Sequence, residues 1–365
     1  MLLSICIPTH HGRRDVLQSA LESILPQITS DLKGRVEVCI SDNASADGTK
    51  EMVERYSQSY PDLIVYYRRE TNKWLLGNLI RLLEMAKGKF CWLFGSDDQI
   101  VDGGIVRALQ LCEQNPDVTG ISINWIAFDE AMQKEYPVSE YIMPGDHERP
   151  HEYTSFDDLY LNCALVHTYL SGNIVSKKRW LDVVGESGVE EIKKYFLYPH
   201  VYILALMSKK HPLWVWCPDK LVKYRTDYVS TISYYGVFHT FNMEIMAEIS
   251  RLWIEILGGK NSVYKSLMIK QALKDWHPAA IRFFKMEPSC TPRIELLMLS
   301  EFTRHLYFVP GFWREVFPTL LVPRALMPER NLAFRLARRV KNSFLYRSRL
   351  VLGTGANYTG EQKRK

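Results

Sequence analysis

The sequence contains neither a G-x-G-x-x-G turn nor a G-x-x-x-x-G-K-[ST] loop. Both motifs use glycines to bring backbone N–H groups against phosphate, so their absence removes support for a dinucleotide fingerprint or a P-loop. Long apolar runs are missing too. The longest stretch without a charged residue, Leu159 to Ser176, carries Asn162, His167, Gly172 and Asn173 and is too polar for a membrane-spanning helix. The seven cysteines are an odd set without metal-ligand spacing. Cys6, Cys39 and Cys91 each sit inside an apolar run, where a thiol behaves as a small buried hydrophobe of a reducing compartment. Met1-Leu2-Leu3-Ser4-Ile5 runs straight into a strand with no basic leader and no long apolar segment, so the expectation is no signal peptide and a cytoplasmic protein. The net charge is only +5, and no RNA-binding module motif is present; nucleic acid is not an expected partner.

What is present is a regular alternation. Leu2–Ile7, Val36–Ile40, Leu63–Tyr67, Phe90–Phe94 and Val118–Trp125 are short apolar runs that read as strands. Asp15–Ile24, the segment after Thr49, Leu75–Met85 and Gly104–Gln114 carry apolar residues at helical spacing between them. This is the pattern of βαβ units, and it predicts an α/β fold with a mostly parallel central sheet and crossover helices on both faces. From Phe128 to about Thr154 the periodicity fades into an expected flap. Tyr169–Val175 returns to the core, Arg179–Val184 and Tyr195–Ser208 are helical, and Leu213–Trp216 and Leu221–Tyr224 are two short extended pieces. After about Thr240 only helices are expected, so the chain divides into 1–238, a helical region 239–350 and a disordered tail 351–365.

Phe90-Cys91-Trp92-Leu93-Phe94-Gly95-Ser96-Asp97-Asp98 places two carboxylates where a buried strand leaves the sheet. Ligands of open α/β sheets bind at that rim. Adjacent acids repel unless a cation or a proton offsets them, so the pair reads either as ligands of Mg²⁺ or Mn²⁺, with a diphosphate completing the shell, or as a turn that caps the next helix. Two more polar loops share the rim: Pro8-Thr9-His10-His11-Gly12-Arg13, and Ser41-Asp42-Asn43-Ala44-Ser45-Ala46-Asp47-Gly48-Thr49.

These loops, with Asn72, Gly77-Asn78 and Ser96-Asp97-Asp98, resemble the family 2 glycosyltransferases of the GT-A (Rossmann-like) fold over roughly residues 2–235. Gly95-Ser96-Asp97-Asp98, Ser171-Gly172-Asn173-Ile174 and Tyr198-Pro199-His200-Val201-Tyr202 are most similar to the abequosyltransferase-like branch, which decorates bacterial O-antigen and related glycans. The resemblance implies transfer of a hexosyl or deoxyhexosyl group from a nucleoside-diphosphate sugar to a glycan hydroxyl, with inversion. It implies that Pro8 and Thr9 pack on base and ribose, that Asp42, beside Asn43, accepts a hydrogen bond from the base, and that Arg13, Lys73 and Arg225 meet the diphosphate. Asn78 and Ser96 complete the donor set, and Asp97 and Asp98 hold the metal. Two departures stand out. The family's usual acid two positions before Asp97 is Gly95 here, and its later Glu-Asp pair is replaced by Tyr198-Pro199-His200, which makes His200, or alternatively Glu190 or Glu191, the expected base. A catalytically weak nucleotide- or glycan-binding module is the alternative reading.

In the helical region Phe308–Trp313 and Val316–Val322 are apolar, aromatic and broken by proline, and Arg324, Arg330, Arg335, Arg338, Arg339, Lys341, Arg347 and Arg349 follow. A basic amphipathic helix over Asn331–Phe344 fits either an anionic membrane surface or a helical cap with solvated arginines. A lipid-linked acceptor at the inner membrane face is the corresponding expectation.

Overall fold

The computed structural model of the protein describes residues 1–136, 147–225, 248, 251–258, 262–273, 281, 285, 291–309, 311–323 and 326. Four parallel strands come first: β1 (Leu3–Thr9), β2 (Val36–Asp42), β3 (Ile64–Arg68) and β4 (Phe90–Leu93). All residues of β1, β2 and β4 are buried. That follows from their near-continuous apolar runs, which suit strands covered by helices on both faces. The covering helices are α1 (Arg14–Ile24), α2 (Thr49–Ser59), α3 (Trp74–Met85) and α4 (Gly104–Gln114), as the apolar spacing predicts.

The sheet is mostly parallel but mixed. Its order is β3-β2-β1-β4-β9-β6-β10-β5, where β5 is Gln99–Ile100, β6 is Gly120–Phe128, β9 is Asn173–Ser176 and β10 is Trp214–Arg225. The short strands β7 (Glu135–Tyr136) and β8 (His151–Tyr153) pair with β6 and β10 and mark the ends of the expected flap; 137–146 lie outside the described residues. β9 enters antiparallel between β4 and β6. That brings the turn before it, Leu170–Gly172, against the end of β4. β10 is one strand, not two pieces: Pro218-Asp219-Lys220 interrupts the apolar run, and the pairing with β6 shifts register between Cys217 and Lys220 and again before Val222. Beyond the shifts β10 pairs with β6 on one side and β5 on the other, and its last residue, Arg225, donates its N–H to Asp98.

Helices α5 (Phe156–Cys163) and α7 (Val189–Ile192) were not anticipated; α6 (Lys177–Ser187) extends the expected one at both ends. α8 (Pro199–Lys210) begins at its proline and not at Tyr195, since a proline is accommodated in the first turn, where its missing N–H is not needed. The C-terminal described residues are helical: 251–258, α9 (Ser262–Leu273), α10 (Pro292–Leu306) and α11 (Phe317–Leu321). Trp253, Tyr264, Leu267, Met298 and Phe312 join the same continuous core as the sheet. The expected basic helix Asn331–Phe344 and the tail 351–365 lie outside the described residues.

Behind the sheet rim, α5, the turn Val166–Thr168 and α8 enclose two histidines. His167 is fully buried between Tyr160 and Trp214, and neither ring nitrogen has a hydrogen-bond partner among the described residues. His200 Nε2 lies 3.3 Å from the Thr168 carbonyl, and its Nδ1 is unpartnered. Burial lowers both pKa values, to about 3 for His167, which also feels His200, and to about 4 for His200. Both rings are therefore neutral in the fold and become charged on unfolding below the ordinary value near 6.5. Their contribution is complete above pH 6.5 and is lost as pH falls toward 4 and then 3. The prediction is that the stability of His167→Phe relative to the native chain grows by about 1 kcal/mol per unit as pH falls from 6.5 to 4.5. Urea unfolding at several pH values measures this, and a constant difference would contradict it.

Candidate active site

Three loops leave the carboxyl ends of β1, β2 and β4 side by side, and hydrogen bonds knit them together. The Thr9 carbonyl accepts from Asn43 N at 2.9 Å and from Asn78 Nδ2 at 3.0 Å. Gly12 N donates to Asp47 Oδ2 at 2.6 Å, which ties the first loop to the second. Arg13 Nη1 bridges to the third, 2.9 Å from Asp97 Oδ2 and 3.4 Å from Ser96 Oγ.

Several expected ligand contacts are instead consumed in building this rim. Asp42 is fully buried; its Oδ1 accepts from Ser45 N at 3.0 Å, and its Oδ2 accepts from Tyr66 Oη at 2.8 Å with Arg68 Nε at 3.7 Å. Its carboxylate holds the second loop. Asn78 accepts from Ser41 Oγ at 3.0 Å and donates to Thr9, so both ends of its amide are spent on β1 and β2. Asn43 Oδ1 accepts from Lys73 N at 2.8 Å, and its Nδ2 donates to Asn72 Oδ1. Pro8 and Thr9 are buried where β1 ends, and the Lys73 side chain is exposed at the amino end of α3. The hydroxyls of Thr9 and Ser45 are buried without partners among the described residues, so these two loops retain unspent hydrogen-bonding capacity. Ser45 lies in a loop that the sequence singles out, but its hydroxyl was given no role there.

The acidic loop divides its two carboxylates between different tasks. Asp98 is 3% exposed. Its Oδ2 accepts from Ser171 Oγ at 2.5 Å and from Tyr169 Oη at 2.8 Å, and its Oδ1 accepts from Arg225 N at 3.0 Å. Burial, then the charge of Asp97, raises its pKa to about 7 against the pull of those three donors. Asp97 is the presented member: its side chain is 21% exposed and faces the guanidinium of Arg13. Ser171 and Tyr169 come from the turn before β9, more than seventy residues away in sequence, and the motif Ser171-Gly172-Asn173 was the one signal that could have found them.

Gly95 is explained by the same packing. Ser171 Oγ accepts from Gly95 N at 2.8 Å. A Cβ on Gly95 would lie 3.0 Å from Asp97 Oδ1, 3.1 Å from Asp98 Oδ2 and 3.2 Å from Ser171 Oγ. The space for a further carboxylate is thus filled by the Ser171–Asp98 pair.

Arg225 clamps the underside of the acidic loop. Its Nε donates to the Asp97 carbonyl at 2.8 Å, Nη1 donates to the Glu130 carbonyl and Nη2 to Ser19 Oγ at 3.4 Å. Those bonds leave the guanidinium 8% exposed under the loop. His200 is also displaced from its expected place: it is 3% exposed and points to Thr168 behind the rim. Glu190 and Glu191 sit on α7, paired with Lys193 and Lys194 of the same segment.

Among the described residues no group of three or more His, Cys, Asp and Glu side chains converges on a metal position. The donor set nevertheless fits a hard cation that keeps few protein ligands, because Mg²⁺ is commonly held by one or two carboxylates plus substrate phosphate. Asp97 is the side chain placed to do so, with Asp98 locked behind it.

Comparison with known proteins agrees with this layout. Residues 4–171 match the sequence model of Glycosyl transferase family 2. The abequosyltransferase RfbV of Salmonella typhimurium is 30% identical over 225 residues, covering 56% of this chain and 60% of that protein. A GalNAc(5)-diNAcBac-PP-undecaprenol beta-1,3-glucosyltransferase of Campylobacter jejuni is 32% identical over 109 residues, 30% of this chain and 33% of its own length. The matches thus span 60% of the first relative and about a third of the second. Among solved structures, residues 1–349 of Staphylococcus aureus TarS superpose with a TM-score of 0.55 at 15% identity, covering 88% of this chain and 89% of that one. That likeness shows the GT-A glycosyltransferase fold. Taken together, residues 4–171 are similar to glycosyl transferase family 2, on a fold shared with TarS.

Proposed function

We propose that the protein transfers a hexosyl or deoxyhexosyl group from a nucleoside-diphosphate sugar to a hydroxyl of a lipid-linked glycan, with inversion, in bacterial surface polysaccharide synthesis such as that of O-antigen. The carrying observation is the Arg13–Asp97 pair at the junction of the β1 and β4 loops. A part-buried cation and anion in contact at the loop junction suit a diphosphate and its counter-ion, each of which displaces one partner. Arg13 would take diphosphate oxygens, Asp97 would hold Mg²⁺ or Mn²⁺, and the first two loops, through Pro8, Thr9 and Ser45, would enclose base and ribose. A bound divalent cation there would offset the charge that develops on the departing diphosphate. Asp98, Ser171, Tyr169 and Arg225 keep Asp97 in place. Support for the donor class comes from TarS, solved with UDP-GlcNAc, and from a Pyrobaculum calidifontis mannosyltransferase solved with GDP-Man and Mn²⁺, which superposes with a TM-score of 0.50 at 13% identity. Support for a lipid-linked acceptor comes from the name of the Campylobacter relative.

A nucleotide- or glycan-binding module without turnover is the second reading. The burial of His200 and the pairing of Glu190 and Glu191 on α7 favour it, since neither side of that set faces Asp97.

A thermal-shift screen of UDP-, GDP-, CDP- and dTDP-sugars with Mn²⁺ tests the donor site. One base series should raise the melting temperature, by an amount equivalent to about 2.7 kcal/mol at a hundredfold excess over Kd. Asp97→Asn should abolish the ligand-induced rise while its own melting temperature stays near the native value. Asp98→Ala and Asp42→Ala should lower the melting temperature itself, because each strands buried donors. The site assignment fails if Asp97→Asn keeps the full rise.

For the membrane side, Tyr307, Trp313, Leu321, Val322 and Leu326 are exposed around α11, ahead of the arginine-rich sequence. Among the described residues no helix is long and apolar enough to cross a membrane. Peripheral binding at the inner face predicts that the full chain sediments with phosphatidylglycerol vesicles and less so as Trp313→Ala. Equal sedimentation with neutral phosphatidylcholine vesicles would contradict an anionic-lipid contact.

A further inference from the structure

Trp74 opens α3 with a φ of +59°, in the left-handed region that a bulky side chain rarely enters. Such a conformation costs on the order of 1–3 kcal/mol and persists only where the surroundings impose it. Here two asparagines impose it. Trp74 N donates to Asn72 Oδ1 at 2.8 Å, and Asn72 Oδ1 also accepts from Asn43 Nδ2. Asn43 in turn accepts from Lys73 N and donates its own N–H to the Thr9 carbonyl. The backbone of Trp74 is therefore fixed to the loops of the candidate nucleotide site.

The strain does not serve burial. The indole is 48% exposed and meets the ring of Phe196, itself 38% exposed, edge to face at a centroid distance of 4.6 Å. Phe196 is fixed independently, because the next two backbone N–H groups, Leu197 and Tyr198, both donate to Glu248 at 2.8 Å. Two aromatic rings, each held by its own polar anchor, thus stand half in water where the amino end of α3 meets the segment entering α8. Tight edge-to-face pairs are normally part of a core, and this one is instead held open at the rim.

We propose that Trp74 and Phe196 form a stacking platform for a pyranose ring of the acceptor glycan. The proposal rests on the transfer reading above and names the part of that site which receives the second substrate. A pyranose has an apolar face of C–H groups and a polar rim of hydroxyls. An exposed aromatic surface recognises the first, while the exposed Asn72 and Lys73, which directly precede Trp74, offer polar groups to the second. Adjacent as it is to the donor loops but built from α3 and the approach to α8, the platform suits a ring other than the one being transferred.

The test uses the full chain, the labelled nucleotide sugar selected by the thermal-shift screen, and the total lipid-linked glycan extract of the source cells as acceptor. Trp74→Gly removes the ring and relieves the positive φ, so its fold is not at risk; Phe196→Ala and Trp74→Phe complete the set. The half-saturating extract concentration should rise about tenfold in Trp74→Gly and less in Phe196→Ala, and Trp74→Phe should recover part of the loss. The KM for the nucleotide sugar and the slow release of nucleoside diphosphate without extract should stay at native values. Unchanged dependence on extract overturns the platform alone. A rise in the nucleotide-sugar KM instead assigns the rings to the nucleotide and also overturns it. If the native chain labels no extract component, the transfer reading fails first and the platform with it.

Discussion

Everything at the rim depends on the burial of one carboxylate. Asp98 ends the loop after β4, yet its three donors come from two other places: Ser171 and Tyr169 before β9, and the backbone of Arg225 at the end of β10. A buried anion beside a second aspartate is unfavourable unless hydrogen bonds compensate, and the pKa near 7 shows that they compensate only in part. The arrangement closes the sheet: β4, β9 and β10 must all be seated before the carboxylate is satisfied. Once they are, the loop has one conformation, and Asp97 is left facing Arg13.

This constraint reassigns several residues. Arg225 carries its charge beneath the loop, bonded to the Asp97 carbonyl, and sets the height of Asp97. Gly95 leaves room for Ser171 to accept the Gly95 N–H and donate to Asp98, where a Cβ would crowd both carboxylates. Asp42 and Asn78 perform the same service for the first two loops. The rim spends most of its polar side chains on its own geometry, so the Arg13–Asp97 pair is held in place by the protein itself. Such preorganisation is what electrostatic stabilisation of a leaving group requires.

Of the strands from Leu3 to Phe128 all but the two-residue β5 were legible, with the helices between them, because burial on both faces writes itself as unbroken apolar runs. The position of Asp97 and Asp98 at a strand end was legible for the same reason. What the residues themselves could not show is which polar groups are already satisfied. Asp42, Asn78 and Arg225 have the right chemistry at the right rim, but their partners lie in other loops, in Arg225's case 128 positions away. His200 was misplaced because α8 starts at Pro199 and turns its first residues inward onto Thr168. β10 was read as two pieces because Pro218 and Asp219 break its apolar pattern, whereas the register shift beside β6 absorbs them.

The central claim is that Asp97, held by the Asp98 clamp and faced by Arg13, is the metal-diphosphate end of a nucleotide-sugar site. Electron paramagnetic resonance of free Mn²⁺ addresses it directly, because bound Mn²⁺ leaves the six-line aqueous signal. The account predicts that the native chain depletes the signal when the matching nucleoside diphosphate is added, and that Asp97→Asn does not. Equal depletion by both proteins would contradict it.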